Sequence, residues 1–269
     1  PGLRAHWLAM PPPQPLIRLH HVDKRFSTGL QALADVSLAV HGGEFVALLG
    51  PSGCGKSTVL RLAAGLDAPT AGTVAAPAVA TGSASHTAFV FQEPTLMPWA
   101  TVFDNVWLPL RLQGRSRGDA AAAVRAVLAR VGLADFAAAH PAQLSGGMKM
   151  RASIARALVT QPQVLLMDEP FAALDDITRQ ALNTDLLQWW HAAGNMAALF
   201  VTHSVAEAVF LSQRVLVMAA RPGRVVAELA IDAPYPRPAS LRHSAAFTAH
   251  CRQLGEALAA AHDAAPHTA

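Results

Sequence analysis

Short apolar runs alternate with helical patterns along the chain, and this alternation is typical of α/β folds. Residues 164–167 and 197–201 are continuous apolar runs too short for helices, so they predict buried strands. Hydrophobic and polar side chains alternate only weakly over residues 16–22, which predicts an edge strand. Further strands are predicted at residues 33–40, 44–49, 88–91, 214–218 and 224–229.

The pattern becomes mostly helical between residues 94 and 160, which predicts a helical insert within the α/β part. The core then comprises residues 16–93 and 161–233, and residues 234–269 form a tail with one helix. Residues 1–15 are rich in proline and predict a disordered leader. Further helices are predicted at residues 59–64, 177–191, 205–211 and 247–261.

The composition alone would suggest a membrane protein, because 52% of the 269 residues are hydrophobic and only 14% are charged. A spanning helix, however, needs about 20 consecutive apolar residues. The longest apolar stretch, residues 120–139, is interrupted by Arg125, Arg130 and Asp135. Much of the hydrophobic count is alanine, so we expect a globular chain without a membrane span.

Charge and cysteine content exclude several other classes of protein. The net charge of +3 is mild, and no run of basic residues predicts binding to nucleic acid. Cys54 and Cys251 are far apart and give neither a metal-binding spacing nor a disulfide framework.

Residues 50–58 read Gly-Pro-Ser-Gly-Cys-Gly-Lys-Ser-Thr and match the P-loop spacing G-x-x-x-x-G-K-[ST] between a predicted strand and a predicted helix. Its backbone N–H groups and the helix N-terminus form a phosphate cradle. We expect Lys56 to reach the β- and γ-phosphates and Ser57 to ligate Mg²⁺. The other predicted cradle residues are Ser52, Gly53, Cys54, Gly55 and Thr58. By itself the loop is compatible with a kinase, a GTPase or an ATPase.

Two carboxylates, Asp168 and Glu169, follow the apolar run 164–167. Ligands bind at strand ends in open α/β sheets. We therefore expect Asp168 to hold Mg²⁺, and Glu169 to act as the general base on an attacking water. Without the P-loop, the pair could equally be solvated acids.

The segment Leu144-Ser145-Gly146-Gly147-Met148, followed by Lys149-Met150-Arg151, resembles the signature loop of the ABC (ATP-binding-cassette) ATPases. The resemblance extends over residues 16–229. It implies a second phosphate cradle at Ser145, Gly146, Gly147 and Met148. Many signatures carry Gln at the position of Met150, so a polar role of that side chain is in doubt.

The resemblance also assigns roles to four single residues. Phe26 stands where the family places an aromatic that stacks on adenine, although Phe26 could also be a core residue. Gln92 matches the glutamine that contacts Mg²⁺ and links ATP to the helical insert. Asp175 matches the D-loop at the dimer interface, and His203 matches the switch histidine that contacts the γ-phosphate.

The implied fold is a P-loop ABC ATPase core, a mixed sheet flanked by helices, with an antiparallel β edge and a helical subdomain insert. The implied cofactors are ATP and Mg²⁺. The implied assembly is a head-to-tail homodimer, in which Lys56 of one copy faces Ser145 of the other across ATP.

Residues 91–99, 101–106, 200–208 and 218–225 are similar to importers of the nitrate/sulfonate/taurine group. This similarity implies an ATP-hydrolysing subunit that powers import of nitrate, a sulfonate, taurine or a pyrimidine precursor. Its partners would be membrane permeases and, indirectly, an extracytoplasmic solute-binding protein. It would lie peripherally on the cytoplasmic face of the inner membrane.

Two other functions remain as alternatives. One is a soluble ABC-type ATPase that acts as a mechanical or assembly factor without a permease. The other is a small-molecule kinase, which is disfavoured because the signature and the switch histidine would then serve no purpose.

Three aromatic residues, Trp99, Phe103 and Trp107, are spaced four residues apart. They could form a helical stripe in the core, or line a groove that receives a helix of the permease. We favour the core for Phe103 and the groove for Trp99.

Overall fold

The computed structural model describes residues 14–81 and 86–263. The predicted disordered leader, residues 1–15, lies almost entirely outside the described residues. Within the described part of the chain, two β-sheets and a group of helices enclose two apolar clusters.

A three-stranded antiparallel sheet contains β1 (Ile17–Arg25), β2 (Gln31–Val40) and β4 (Ala71–Ala75) in the order β2-β1-β4. The prediction of an edge strand at residues 16–22 is wrong, because β1 pairs with β2 on one side and with β4 on the other. The alternation is interrupted between Leu19 and Val22, where the pairing of β1 with β2 shifts in register.

A six-stranded sheet has the order β5-β6-β7-β3-β8-β9. The strands β5, β6, β7, β3 and β8 are parallel, whereas β9 is antiparallel to β8. Burial on both faces accounts for the continuous apolar runs of the central strands. The strands are β3 (Phe45–Leu49), β5 (Thr87–Val90), β6 (Val164–Asp168), β7 (Ala197–Thr202), β8 (Arg214–Ala219) and β9 (Arg224–Ala230).

Strand β3 divides the core into two apolar clusters. Phe45, Ala47 and Leu49 face a cluster that includes the helical insert, and Val46 and Leu48 face a cluster shared with the three-stranded sheet. This alternation follows from the two-residue period of a strand.

The helical insert contains α3 (Val102–Leu112), α4 (Arg117–Arg130) and α5 (Gly146–Leu158). Each helix begins after a hydroxyl side chain, Thr101, Ser116 or Ser145, that accepts a backbone N–H of the first turn. The other helices are α1 (Lys56–Ala63), α2 (Pro77–Thr81), α6 (Asp176–Ala192), α7 (Val205–Leu211) and α8 (Ala245–Asp263).

The three aromatics do not form one helical stripe, because Trp99 precedes α3. Phe103 is buried in the core, as predicted, and Trp107 is half-buried against it. Trp99 is 77% exposed.

Residues 234–263, here called the C-terminal arm, fold back onto the core. Phe247 and Leu254 of α8 belong to the same apolar cluster as Phe45. The buried Arg237 donates hydrogen bonds to backbone carbonyl groups at the end of α7. No helix in the described ranges has both the length and the apolar character that a bilayer span requires.

Candidate functional site

The glycine-rich loop lies between β3 and α1, as predicted. Lys56, the first residue of α1, is only 4% exposed, and its Nζ donates to the carbonyl oxygens of Gly50 (2.8 Å) and Pro51 (3.0 Å). A Cβ atom at Gly50 would lie 2.7 Å from both the Cys54 Sγ and the Met218 carbonyl oxygen. The loop is therefore wrapped closely around the ammonium group, and only glycine fits at its first position.

The two predicted carboxylates meet this loop at the end of β6. The Ser57 hydroxyl donates to Asp168 Oδ1 at 3.0 Å, and the Lys56 Nζ is 3.7 Å from Glu169 Oε1. Burial raises the pKa of Asp168, against the opposing effect of the Ser57 hydrogen bond, and the charge of Glu169 raises it further. A cation at this point would favour the ionised form of Asp168.

Glu169 also contacts the predicted switch histidine. The His203 Nδ1 lies 2.9 Å from Glu169 Oε2, and the Glu169 backbone N–H donates to the Val201 carbonyl oxygen. The two residues are 34 positions apart, but they follow the neighbouring parallel strands β6 and β7. Glu169 has φ of +44°, a left-handed conformation that is uncommon for a non-glycine residue and typical of functional sites.

Lys56, Ser57, Asp168 and Glu169 line one cleft of about 820 Å³. His203 is not among the lining residues and adjoins the cleft through its contact with Glu169. Phe26 lies in the cleft and is 38% exposed, so it is not a core residue. The Lys24 Nζ lies 5.2 Å from the centre of its ring. The other predicted residues in the cleft are Ser52, Gly53, Gly55, Thr58 and Gln92.

One predicted cradle residue, Cys54, does not line the cleft with its side chain. Its thiol is buried, and burial raises the pKa of this thiol. The side chain of Cys54 therefore fills a small buried space, and only its backbone can contribute to the predicted phosphate cradle.

The signature loop lies outside this cleft. Ser145 caps α5 by accepting the N–H of Met148, and Asp175 caps α6 by accepting the N–H of Thr178, a hydrogen bond that lowers the pKa of Asp175. The two helix starts are adjacent, because a Cβ atom at Gly147 would lie 2.7 Å from the Thr178 Cγ2. The P-loop and the start of α5 are therefore two separate helix starts, and a helix start is a place where backbone N–H groups can bind an anion.

Met150, which replaces the usual glutamine, is buried in the core of the insert. Its side chain fills apolar space and offers no polar group to a ligand. The other donors of the signature loop, the Ser145 hydroxyl and the glycine amides, do not depend on it.

The residues predicted to hold Mg²⁺ have the right donor atoms. Ser57, Gln92 and Asp168 line the same cleft and supply a hydroxyl, an amide and a carboxylate oxygen. Mg²⁺ in nucleotide sites is held by such hard oxygen ligands, with one or two carboxylates and the substrate phosphates. The residues therefore fit Mg²⁺ bound together with a nucleotide.

Four cleft residues were not predicted from the sequence. Leu30, Gln31 and Ala32 lie at the start of β2, and Arg221 lies in the turn between β8 and β9. The turn at residues 221–223 is predictable from its Pro-Gly pair, but its position beside the P-loop depends on the order of the strands.

The sequence matches known families and relatives over most of its length. A family profile described as "ABC transporter" matches residues 33–172. The chain is 46% identical over 214 residues to the nitrate import ATP-binding protein NrtD of Synechocystis sp., and the match covers 79% of each chain. It is 47% identical over 204 residues to the taurine import ATP-binding protein TauB of Burkholderia pseudomallei, with coverage of 76% and 78%. It is 44% identical over 234 residues to the aliphatic sulfonates import ATP-binding protein SsuB 2 of Burkholderia cenocepacia, with coverage of 87% and 84%.

Two solved structures are similar to this one. An ATP-binding cassette, solved as a dimer in a post-hydrolysis state with ADP and Pi, superposes with a TM-score of 0.69 at 32% identity. That match covers 81% of this chain and 100% of the other. The protein cbiO1 of Clostridium perfringens superposes with a TM-score of 0.74 at 23% identity, covering 92% and 97% of the two chains, which is a likeness of fold.

Proposed function

Because the chain belongs to the ABC transporter family, we propose that it is the ATP-hydrolysing subunit that powers import of a small solute through a membrane permease. The observation that carries this proposal is that Lys56, Asp168 and Glu169 meet in one cleft beside the P-loop, with His203 in contact with Glu169. The nitrate, taurine and sulfonate import proteins that it resembles support the direction of transport and the class of solute.

The cleft residues divide the chemistry of hydrolysis among them. Lys56 neutralises the β- and γ-phosphates, and Ser57, Gln92 and Asp168 would hold Mg²⁺, which supplies further positive charge to the phosphates. Glu169 accepts the proton of the water whose oxygen attacks the γ-phosphorus, and ADP and inorganic phosphate leave. His203 donates its Nδ1 proton to Glu169 Oε2 and so orients the second oxygen of that carboxylate towards the cleft.

The separation of the P-loop from the signature loop supports a head-to-tail homodimer. Ser145 does not line the cleft that contains Lys56, so a second copy is needed to bring a signature loop to the nucleotide. Two-fold symmetry repeats the contact, and each interface then holds one ATP. Because ATP contacts both copies, it stabilises the closed dimer, and hydrolysis weakens this contact.

An apolar groove of about 500 Å³ between β5 and α3 is the proposed contact with the permease. Phe91 and Leu112 line it and are 42% and 79% exposed. The groove adjoins Gln92, which lies in the nucleotide cleft, so one segment connects both sites. Trp99, which we expected at such a groove, is not among its lining residues. The contact fits an amphipathic helix laid into a groove.

The solute would be selected by the permease and the extracytoplasmic solute-binding protein, which acts indirectly. This arrangement would place the chain peripherally on the cytoplasmic face of the inner membrane. Nitrate, a sulfonate, taurine or a pyrimidine precursor remains the proposed type of solute.

Affinity purification from detergent-solubilised membranes tests this function. The tagged chain is expected to retain a multi-spanning membrane subunit and to release phosphate from ATP. Leu112→Glu should lose the membrane subunit, because it puts a charge into the apolar groove. Leu66→Glu is the matched control, since Leu66 is 58% exposed and lies outside the groove.

The alternatives predict different outcomes. ATP hydrolysis without any bound membrane subunit would favour the mechanical or assembly factor. Transfer of the γ-phosphate to a small acceptor, without release of free phosphate, would favour the kinase.

A further inference from the structure

A second cation in the nucleotide cleft has no role in the hydrolytic machinery described above. Arg221 lines the cleft together with Phe26, Ser52 and Gly53. Within residues 14–81 and 86–263, no hydrogen bond or ion pair engages its guanidinium group. By contrast, Arg237 is bound to four carbonyl groups. The Arg221 guanidinium is therefore available to a ligand in the cleft.

The turn that carries Arg221 is fixed against the P-loop and β2. The Gly223 N–H donates to the Ala32 carbonyl oxygen at 2.9 Å, and the Gly223 carbonyl oxygen accepts from the Ala34 N–H at 2.9 Å. A Cβ atom at Gly223 would lie 2.1 Å from the Cys54 carbonyl oxygen, so the turn touches the loop directly. This close packing makes the position of the Arg221 backbone rigid relative to the phosphate cradle.

The backbone of Arg221 is held in an unfavourable conformation. Its φ is +58°, a left-handed value that is unfavourable for a non-glycine residue. Glycine would adopt this conformation without that cost. The conformation of the turn therefore does not account for an arginine at this position. Contact of its side chain with a ligand would account for it.

Strand order determines which part of a nucleotide lies near Arg221. In the six-stranded sheet, β6 and β7 lie on one side of β3, and β8 and β9 lie on the other. Asp168 ends β6, and Glu169 and His203 follow β6 and β7, so the proposed γ-phosphate chemistry belongs to the first side. Arg221 follows β8, and its turn is bonded through Gly223 to Ala32 of β2. Phe26 is bonded to Leu30, immediately before the same strand, so Phe26 and the turn of Arg221 both adjoin the start of β2.

The charges of the cleft support an anionic partner. Its charged lining residues are Lys56, Asp168, Glu169 and Arg221. Without Arg221 the two carboxylates outnumber the single lysine, which would oppose the binding of a polyphosphate. A guanidinium is well suited to phosphate oxygens, because its planar donors match their geometry.

We propose that Arg221 is a nucleotide-binding residue whose guanidinium contacts the α-phosphate of the nucleotide, on the side of the cleft opposite the hydrolytic residues. This inference rests on the nucleotide site of the proposed function. Since the α-phosphate is common to ATP and ADP, both nucleotides use the contact. It contributes to affinity and not to the attack on the γ-phosphate.

Nucleotide titrations of the purified full-length chain test the assignment. Arg221→Ala is expected to weaken the binding of fluorescent ATP and ADP analogues to the same extent, about fivefold, as for a partly exposed charged contact. The KM for ATP should rise by the same factor while kcat stays unchanged. Arg221→Lys should restore part of the affinity.

Two further variants control for folding and for net charge. Arg221→Gly removes the same side chain but adopts a positive φ freely, so it should fold well and still bind both nucleotides weakly. Arg224→Ala removes an equal charge from the same hairpin, outside the cleft lining, and should bind like the parent.

Other results would overturn the inference. Unchanged nucleotide affinity in both Arg221 variants would show that the side chain does not contact the nucleotide. A loss for ATP that is absent for ADP would place it at the γ-phosphate, and an equal loss of adenosine binding would place it at the base. If the parent chain itself binds no nucleotide, the proposed function fails rather than this residue's assignment.

Discussion

Replacing Arg237 with methionine should strongly destabilise the protein, although Arg237 lies outside the nucleotide cleft. Its guanidinium is 4% exposed and donates from Nη1 to the carbonyl oxygens of Val209 (3.0 Å), Phe210 (2.9 Å) and Ser212 (2.9 Å). Its Nε and Nη2 both donate to the Ala233 carbonyl oxygen. The side chain thus satisfies the carbonyl groups of Val209 and Phe210 near the end of α7, which no helical N–H reaches, and that of Ser212 just after the helix.

The magnitude follows from these bonds. Three of the carbonyl groups are buried, and each one left without a donor costs about 1–3 kcal/mol, so the loss is about 3–9 kcal/mol before compensation. Burial lowers the pKa of Arg237, which shows that the cation itself is partly stripped of water. Removing the cation regains part of this hydration cost. We therefore expect a net loss of about 3 kcal/mol, a large share of a typical stability of about 5–15 kcal/mol.

Urea unfolding followed by circular dichroism measures this difference. Arg252→Met is the matched control, because Arg252 lies in the same C-terminal arm and its side chain is 75% exposed. The control should change the free energy of unfolding by less than about 0.5 kcal/mol. A value for Arg237→Met as small as that of the control would refute the argument that the arm is held by this guanidinium.

Three further predictions concern the proposed catalytic carboxylate, a buried acid and two glycines. Glu169→Gln should keep nucleotide binding and lose hydrolysis, so ATP should hold a dimer in light scattering; hydrolysis at the parent rate would disprove its role as the base. Burial raises the pKa of Glu207 above its usual 4.5, so the folded state binds this proton more tightly and stability falls as pH rises above that value. Glu207→Gln should flatten this dependence in urea titrations from pH 5 to 9, and parallel curves would contradict it. Gly50→Ala should destabilise the chain by about 1–3 kcal/mol through its clash with Met218, whereas Gly255→Ala, with open space around it, should gain up to about 1 kcal/mol in thermal unfolding.

Local patterns predicted much of the site from the sequence. The P-loop, the carboxylates at the end of β6 and the helix at residues 205–211 each depend on contiguous residues, and the structure places these elements where the sequence predicts them. Asp168 and Glu169 were identifiable because an apolar run ends immediately before them. Such signals need no knowledge of the partner strands.

Features that depend on strand order could not be predicted in this way. The central position of β1 requires pairing with Ala71–Ala75, a strand of mostly small residues without a clear alternation. The contact between His203 and Glu169 arises because β6 and β7 are neighbours. Arg221 enters the cleft because β8 lies beside β3, and nothing in the turn itself indicates that neighbour. The division of the chain into domains stays a prediction.

The C-terminal arm limits where the chain can be cut in protein engineering. Gly255, Leu258 and Ala259 of α8 line a shallow cavity with Pro51 of the P-loop, and Arg237 holds the end of α7. In a hybrid ATPase joined at residue 233, the P-loop would therefore lose its contact with the α8 helix of its own chain. Exchange of cassettes between related transporters should keep residues 234–263 with the core from which they come, and a fused reporter should be attached beyond that helix.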